Sequence, residues 1–339
     1  MGKFGMYIKK VAVAMVFGGF LLLLVFKQGG LSIFSDKINP EPASDVEPVT
    51  GIVFVTTRHV EFEPGALNQN WELYLVQPDG SGLTRLTNND YVDTSPSWSP
   101  DGRQIVYRSR VDGSSDIFIM HADGTNPRNL VQDPQDSIFD EFYPRWSPDG
   151  DMIALYTDRN YDPGAPCAQH RLAIMPVTGG KDNIRMLNAQ RTEQETLAWW
   201  PDGRSVVYSS RCDMTADSSV DLYRWNIYTD EVTPVVNDEY INAAPAFAHN
   251  GRFLAYQSVR NGNTDIFVLD LETGKSVNIS NHPAKDAHPT WSPDDSQIAF
   301  VSDRDGNDDI FVMNADGSNP RNITNDPAKD FEPAWSPVP

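Results

Sequence analysis

A short phrase of the form Pro-x-aromatic-Ser-Pro-Asp-Gly recurs six times along the chain, with some variation, and constrains its fold more than any other feature. The last copy breaks off at the end of the sequence. The copies are anchored on Trp98, Trp146, Trp199, Phe247, Trp291 and Trp335. Successive anchors are 48, 53, 48, 44 and 44 residues apart. A repeat of this length with four short strands predicts a β-propeller blade, because one small twisted sheet buries its faces only by stacking on neighbours.

Each repeat carries the signals of the remaining strands in a constant order. In the repeat that begins at Pro289, a turn at 293–295 is followed by apolar strands at 298–300 and 309–311 and by a short strand at 322–324. The second and third strands do not alternate cleanly between apolar and polar residues. Strands that are apolar on both sides indicate a sheet packed between two neighbours, as a blade is.

The residues ahead of Trp98 lack the first strand of a repeat. Residues 51–87 carry signals for strands two, three and four, and the phrase at 333–337 offers a first strand with no blade after it. We therefore expect the two ends of the propeller to build one blade together and close the ring, which leaves no long free edge. The sequence predicts an all-β fold, a six-bladed β-propeller over residues 51–339, closed by pairing of its N- and C-terminal strands.

The repeated phrase itself is interpreted as structural. The aromatic ring is expected to pack between blades, and the Ser-Pro-Asp-Gly segment to form a turn whose Asp accepts hydrogen bonds from its own backbone. A sialidase-type Asp box is the functional alternative, but that motif spaces its Asp and Gly differently.

These repeats resemble the WD40-like (PD40) repeat of TolB-type propellers from about residue 51 to the end. The segment 289–324 matches that pattern almost throughout, in the tryptophan phrase, the Ile298-Ala299-Phe300 strand and the Asp309-Ile310-Phe311-Val312 strand. The resemblance implies a periplasmic partner of an outer-membrane lipoprotein. TolB carries an α/β domain ahead of its propeller. We expect no counterpart of that domain here, because only about twenty polar residues separate the hydrophobic segment from the first blade. Similar repeats also occur in prolyl-oligopeptidase-like peptidases and oligogalacturonate lyases, so the resemblance leaves the function open.

The N-terminus predicts a membrane anchor. Lys3, Lys9 and Lys10 precede sixteen uncharged residues, 11–26, and Lys27 follows. This segment is short for a span of ~20 residues, but flanking lysines can extend it by snorkelling. The positive flank predicts a cytoplasmic N-terminus and an extracytoplasmic propeller, in the periplasm or at the cell exterior.

No small-x-small cleavage site follows the hydrophobic segment, so we expect an uncleaved signal anchor rather than a cleaved signal peptide. The predicted domains are a cytoplasmic tail at 1–10, a transmembrane helix at 11–27, a Pro-rich acidic linker at 28–50 and the propeller at 51–339. The protein would then be a single-pass protein of the cell membrane.

The charge of the chain limits its partners. Lys and Arg total 27 and Asp and Glu total 47, which gives a net charge of −20. This balance disfavours nucleic acid and favours cations or a protein partner with a basic face. The alternative is that the acidic surface serves solubility.

A set of polar residues recurs five positions before each anchor, with three further polar residues close to it. If the anchoring strand is innermost, as in similar propellers, these side chains fall at one mouth of the central channel, where they could hold a metal ion, an amine or a basic side chain. The alternative is that each caps the turn before its own strand. The recurring residues are Asp93, Glu141, Gln194, Asn242, Asp286 and Asp330, and the residues close to them are Glu195, His288 and Glu332.

A second candidate site resembles the opening of a calcium loop. Asp303, Asp305, Asn307 and Asp309 alternate along the chain, as calcium ligands do, so Ca²⁺ or another divalent cation is a possible cofactor. The bidentate Glu of such loops is missing, and other blades have plain hairpins at this position, which favours a hairpin without an ion.

Motifs for catalysis are missing, since the sequence contains no G-x-S-x-G, H-E-x-x-H or C-x-x-C. The two cysteines, Cys167 and Cys212, lie in adjacent blades, and an extracytoplasmic location predicts a disulfide between them. The sequence favours a membrane-anchored, non-catalytic protein-binding or scaffolding module. The alternatives are a carbohydrate lyase or hydrolase with a metal in the channel, and a propeller that filters substrates for a separate peptidase.

Overall fold

A computed structural model describes residues 47–58, 70–111, 113–131, 139–159, 170–186, 196–210 and 219–338, and the backbone of two short segments near the N-terminus. Those segments are strands β1 (Met15–Phe17) and β2 (Phe20–Leu22), which pair antiparallel. The other residues of the predicted tail and anchor, and most of the predicted linker, lie outside the described residues. Within the described part, no helix has the length and apolar character needed to cross a membrane.

The propeller contains six four-stranded antiparallel sheets in the described ranges. Within each sheet the strands lie in order from the innermost to the outermost. The first is β26 (Asp330–Trp335), β3 (Ile52–Thr56), β4 (Glu72–Val76) and β5 (Thr84–Arg85). The second is β6 (Val92–Trp98), β7 (Gln104–Val111), β8 (Ser114–His121) and β9 (Arg128–Asn129). The third is β10 (Glu141–Trp146), β11 (Met152–Thr157), β12 (Arg171–Pro176) and β13 (Arg185–Met186), with a 3-10 helix, Lys181–Asn183, before β13.

The remaining blades follow the same order. The fourth is β14 (Leu197–Trp199), β15 (Ser205–Ser210), β16 (Asp221–Asn226) and β17 (Val232–Val236). The fifth is β18 (Ile241–Phe247), β19 (Phe253–Arg260), β20 (Asn263–Asp270) and β21 (Lys275–Asn278). The sixth is β22 (Asp286–Trp291), β23 (Gln297–Ser302), β24 (Asp309–Asn314) and β25 (Arg321–Asn322).

The ring closes as the sequence predicts, because the last strand completes the first blade. β26 pairs antiparallel with β3, and its register runs from Asp330 opposite Thr56 to Trp335 opposite Ile52. The predicted all-β, six-bladed propeller with joined ends is therefore confirmed, and the predicted transmembrane helix is not shown.

The anchoring aromatic residues join neighbouring blades, as predicted. The indole Nε1 of Trp98 donates a hydrogen bond to the carbonyl oxygen of Ala334 at 3.0 Å, and Trp291 donates to Ala246 at 3.1 Å. Each acceptor lies on the inner strand of the preceding blade. Trp146 differs, because its indole donates to Gly150 in its own turn. Tryptophans of the repeated phrase therefore link the inner strands of neighbouring blades.

The turn after β24 shows how tightly successive blades dock. Gly317 has a φ of +86°, and a Cβ atom placed on it would lie 2.0 Å from the carbonyl oxygen of Ile279 in the preceding blade. Gly124 meets Leu86 of its preceding blade in the same way. Glycine is needed at these turns for its left-handed backbone and for the close approach of two backbones.

Five of the inner strands contain a β-bulge at the same level. Beside each bulge the residue three positions before the anchor has a positive φ, between 48° and 56°. These bulge residues are Ser95, Tyr143, Ala244, His288 and Glu332. A bulge re-aims a side chain out of the regular pleat. The bulges therefore influence which side chains face the centre of the ring.

Candidate functional site

The inner strands enclose a cavity of about 470 Å³. All six inner strands line it, so it is the central channel of the propeller. Pro100, Pro148 and His249 belong to turns that follow inner strands, line the cavity and are exposed. The cavity therefore opens on the side of the Ser-Pro-Asp-Gly turns. We call this opening the turn-side mouth.

Most of the residues that line the cavity are proline, alanine or aromatic. Several bulge residues are followed by proline, as in Pro245, Pro289 and Pro333, which all line the cavity. The anchoring aromatic rings, including Trp146 and Trp199, complete the wall nearer the mouth. Rigid proline and aromatic surfaces with few polar groups are typical of ligand sites.

Polar side chains gather at the opposite, inner end of the cavity. Tyr143, Arg145, His288 and Glu332 are half-buried and line it. Arg145 donates through Nη1 to the carbonyl oxygen of Pro144 at 2.9 Å. Oε2 of Glu332 accepts hydrogen bonds from the backbone N–H of Ser95 at 2.7 Å and from its hydroxyl at 3.3 Å. We call Tyr143, Arg145, His288 and Glu332 the inner cluster.

Burial shifts the pKa values of two members of the inner cluster. It lowers the pKa of His288 to about 4, assisted by the positive charges of Lys285 and Arg145, so this imidazole is neutral at pH 7. Burial also raises the pKa of Glu332, while the hydrogen bonds from Ser95 and the nearby Arg145 act in the opposite direction. The cluster thus places one guanidinium and one carboxyl group around a neutral histidine.

The five described residues that recur before the anchors do not line this cavity. Asp93, Glu141, Asn242, Asp286 and Asp330 all have fully buried side chains. They belong to a polar layer that is paired within the blades. A ligand could reach them only by displacing these partners, and a binding role for them stays a prediction. Glu195 and Gln194 lie outside the described residues.

The partners of these buried groups also recur. Arg159 donates to Glu141 at 2.7 Å, and Arg304 donates to both oxygens of Asp286 at 3.0 and 3.1 Å. Arg58 pairs with Asp330 in the same way, and Asn242 accepts from the Ser258 hydroxyl at 2.8 Å. The three arginines occupy the same position of the repeat, two residues after the end of the second strand of their blade. The sequence analysis did not identify this regularity.

Asp93 is the exception among the four described carboxyl groups of this layer. Val111 occupies the repeat position that holds arginine in the other three cases. One oxygen of Asp93 accepts from Asn89 Nδ2 at 2.7 Å, whereas Oδ1 is buried without a hydrogen-bond partner. Burial raises the pKa of Asp93 to about 6, and it also raises the pKa values of the arginine-paired Glu141 and Asp330, to about 7 and about 6.

The sequence analysis predicts His288 and Glu332 close to a mouth of the channel. In the structure both residues line the channel. Arg145 and Tyr143 were missed. A signal for Arg145 is present in the repeat, because the position before the anchor otherwise holds small residues. These are Ser97, Ala198, Ala246, Thr290 and Ala334.

The four residues of the calcium-like loop are engaged with different partners. Asp303 accepts from the backbone N–H of Lys285, and Asn307 donates to the carbonyl of Ala328 at 2.6 Å. Asp305 and Asp309 both accept from Asn322 Nδ2, at 3.0 and 2.9 Å. Among the described residues, no group of three His, Cys, Asp or Glu side chains is placed to hold a metal ion. A cation at this loop stays a prediction, and Cys167 and Cys212 lie outside the described residues.

Comparison with known proteins agrees with this architecture. A family model described as the TolB beta propeller domain matches residues 66–218 and 170–338. The chain belongs to the TolB β-propeller domain family. Two solved structures share the family fold. TolB from Acinetobacter baumannii has a TM-score of 0.68 at 18% identity, over 85% of this chain and 67% of that one. A putative TolB from Agrobacterium tumefaciens has a TM-score of 0.62 at 18% identity, over 85% of this chain and 95% of that one.

A curated relative is larger than this chain. The chain is 25% identical over 226 residues to Dipeptidyl-peptidase 5 of Porphyromonas endodontalis. The match covers 56% of this chain and 33% of that protein. The chain thus spans about a third of the peptidase that it resembles.

Proposed function

We propose that the protein is a membrane-anchored, extracytoplasmic binding and scaffolding module that has no catalysis of its own. It holds a segment of a protein partner in the channel, at the turn-side mouth. The observation that carries this proposal is the open cavity of about 470 Å³, which every blade lines with its innermost strand.

The form of the cavity supports binding. Its volume falls within the range of roughly 300–1,000 Å³ that is typical of ligand pockets. Its apolar wall can bury a side chain or a short segment, and the inner cluster can fix orientation. Such walls are rigid, because the bulges and prolines hold the backbone, and a rigid site loses little entropy on binding.

The charge of the chain and its N-terminal segment support the proposed partner and location. The net charge of −20 favours a protein partner with a basic face and disfavours nucleic acid. The lysines around the hydrophobic segment support a single-pass anchor with the propeller outside the cytoplasm. The resemblance to TolB-type propellers adds a protein-binding role as an expectation.

Site-directed photocrosslinking tests this proposal. A benzoylphenylalanine is placed at Pro148, which is exposed and lines the turn-side mouth, in the full chain within its own membranes. The matched control carries the same group at Tyr228, which is 72% exposed on a turn between outer strands. We expect a specific protein adduct from the Pro148 variant alone. Adducts from Tyr228 with none from Pro148 would move the binding surface to the outer edge and contradict the proposal.

A second candidate is a substrate filter for a separate peptidase. The match to Dipeptidyl-peptidase 5 favours it, because that protein is three times as long as the matched part of this chain. A filter predicts that the adduct from Pro148 is a peptidase. A metal-dependent lyase or hydrolase instead predicts that the purified chain alone turns over a polysaccharide and that a chelator stops it.

A further inference from the structure

The inner cluster holds two opposite charges that do not neutralise each other directly. In the part of the chain that the structure describes, no carboxylate lies within 4.0 Å of the Arg145 guanidinium. Its one hydrogen bond is to the carbonyl of Pro144, the residue before it. A guanidinium carries five N–H donors, so most of the donors of Arg145, which lines the cavity, have no protein acceptor among the described residues.

Only one of the two carboxylate oxygens of Glu332 accepts hydrogen bonds from described residues. Its Oε2 accepts both hydrogen bonds from Ser95, and Oε1 has no protein donor among the described residues. Its backbone is fixed by the bulge, with a φ of +52°, and Pro333 follows. The side chain is therefore held in place with one oxygen available to the cavity.

The charges decide which ligand fits. A simple anion would be attracted by Arg145 but repelled by Glu332. A simple cation would be attracted by Glu332 but repelled by Arg145. A neutral ligand would displace water from both charged groups without offering either a hydrogen-bonded ionic partner, which is costly. A ligand that carries a carboxylate and an ammonium group satisfies both, and ionic hydrogen bonds of this kind are the strong ones.

We propose that the inner end of the channel binds a zwitterionic ligand, a short peptide with free ends, whose carboxylate pairs with Arg145 and whose ammonium group pairs with Glu332. The neutral His288 stands beside the pair and adds no charge. The apolar wall of prolines and tryptophans favours a peptide with an apolar side chain, and the volume of about 470 Å³ accommodates a dipeptide. This inference rests on the proposed role of the channel as a binding site.

Calorimetric titration of the full chain in detergent tests the assignment. The probe is alanyl-phenylalanine, compared with its N-acetylated form and its C-terminal amide. We expect saturable binding of the probe to the wild type and weaker binding of both derivatives by roughly tenfold or more, the loss typical of one charged hydrogen bond. Arg145→Gln should bind the probe and the amide equally, and Glu332→Gln should bind the probe and the acetylated form equally.

Two variants remove the same charges elsewhere. Arg110→Gln and Glu239→Gln alter exposed residues outside the cavity and should titrate like the wild type. Thermal unfolding of all variants checks that the propeller is intact. Absence of saturable binding to the wild type would overturn the inference, and so would identical titrations of Arg145→Gln and Arg110→Gln.

The outcome is separable from that of the crosslinking experiment. A partner captured through Pro148 together with no dipeptide binding means that only the zwitterion assignment fails. Dipeptide binding without any captured partner means that the channel takes small peptides and that the scaffolding role fails.

Discussion

At the scale of single residues, the second blade lacks an arginine that pairs with the buried carboxyl group in three other blades. Arg58, Arg159 and Arg304 each accompany a buried carboxylate, and Val111 leaves Asp93 without this partner. A buried carboxyl group without an opposite charge holds its proton more tightly than in water. The stability of the second blade should therefore depend on pH, as should that of the blades whose buried Glu141 and Asp330 also have raised pKa values, of about 7 and about 6.

We predict that Asp93→Asn removes a pH-dependent loss of stability. The pKa of Asp93 is about 6 in the folded state, above its ordinary value of 3.8. Its contribution to stability is therefore fully present below about pH 3.8 and is lost as the pH rises through about 6. Relative to Asp93→Asn, the free energy of unfolding of the wild type should fall by about 1–3 kcal/mol between pH 4 and pH 7.

Urea unfolding at several pH values measures this difference. The exposed Asp90→Asn serves as the control and should follow the wild type at every pH. Val111→Arg adds a second measurement, because it introduces the arginine found in other blades, whose positive charge lowers the pKa of the buried carboxyl group, and it should reduce the loss that the wild type shows. Parallel curves for wild type and Asp93→Asn would contradict the assignment.

At the scale of elements, the turn between the third and fourth strands controls how blades dock. Gly317 touches the backbone of the preceding blade, whereas the turn glycine of the fifth blade, Gly274, has open space around it. Both have a positive φ, +86° and +69°, so an alanine is strained at either position. The difference between the two substitutions isolates the contact between blades from the strain of the turn.

Gly317→Ala should lower the free energy of unfolding by roughly 1–3 kcal/mol more than Gly274→Ala, because the added methyl group overpacks the contact with Ile279. The two variants can be compared by denaturant unfolding under one set of conditions. Equal losses would mean that the blade contact yields without cost, and that the strain of the turn accounts for both.

Much at this scale is predictable from the sequence, because the repeats determine it. The anchors and turns fix the order of the strands, and the unmatched strand at 333–337 indicates the closure that β26 and β3 make. The side-chain partners were harder to predict. Pairing of Arg304 with Asp286 joins residues 18 positions apart and emerges only when the second strand is placed beside the first in register.

The candidate site was less predictable for the same reason. Polar residues before the anchors suggested a ring that faces the channel, but the bulges alter which side chains face it. Three residues before five of the six anchors the backbone has a positive φ, so His288 and Glu332 line the cavity whereas Asp286 and Asp330 are buried. A sequence pattern with period two cannot anticipate a bulge, since one extra residue reverses the inward and outward faces.

At the scale of the whole molecule, we expect stability to depend on the first blade, which β26 and β3–β5 build from the two ends of the propeller and which we call the joint blade. Phe331 of β26 packs edge-on against Trp71, with ring centroids 5.1 Å apart, and Trp335 packs against an apolar cluster that spans the first and sixth blades. Without β26, the edge of β3 would be free to pair with another chain.

A chain that ends at Lys329 should therefore unfold at a lower temperature and self-associate. Scanning calorimetry and size-exclusion chromatography would show both effects. The control ends at Ser336, which keeps all of β26, and should remain monodisperse. A truncated chain that ends at Lys329 and still melts like the control would show that the joint blade adds little to the stability of the ring.

The joint blade also sets an order of events in time. β3 is the first strand of the propeller to leave the ribosome, whereas its partner β26 is the last strand of the propeller to be made. At ordinary synthesis rates of about 5–20 residues per second, the edge of β3 waits for roughly 15 to 55 s. During that interval the nascent chain has an unpaired edge strand beside five growing sheets. Protection of the β3 edge from pairing with other chains is therefore needed before the ring of blades closes.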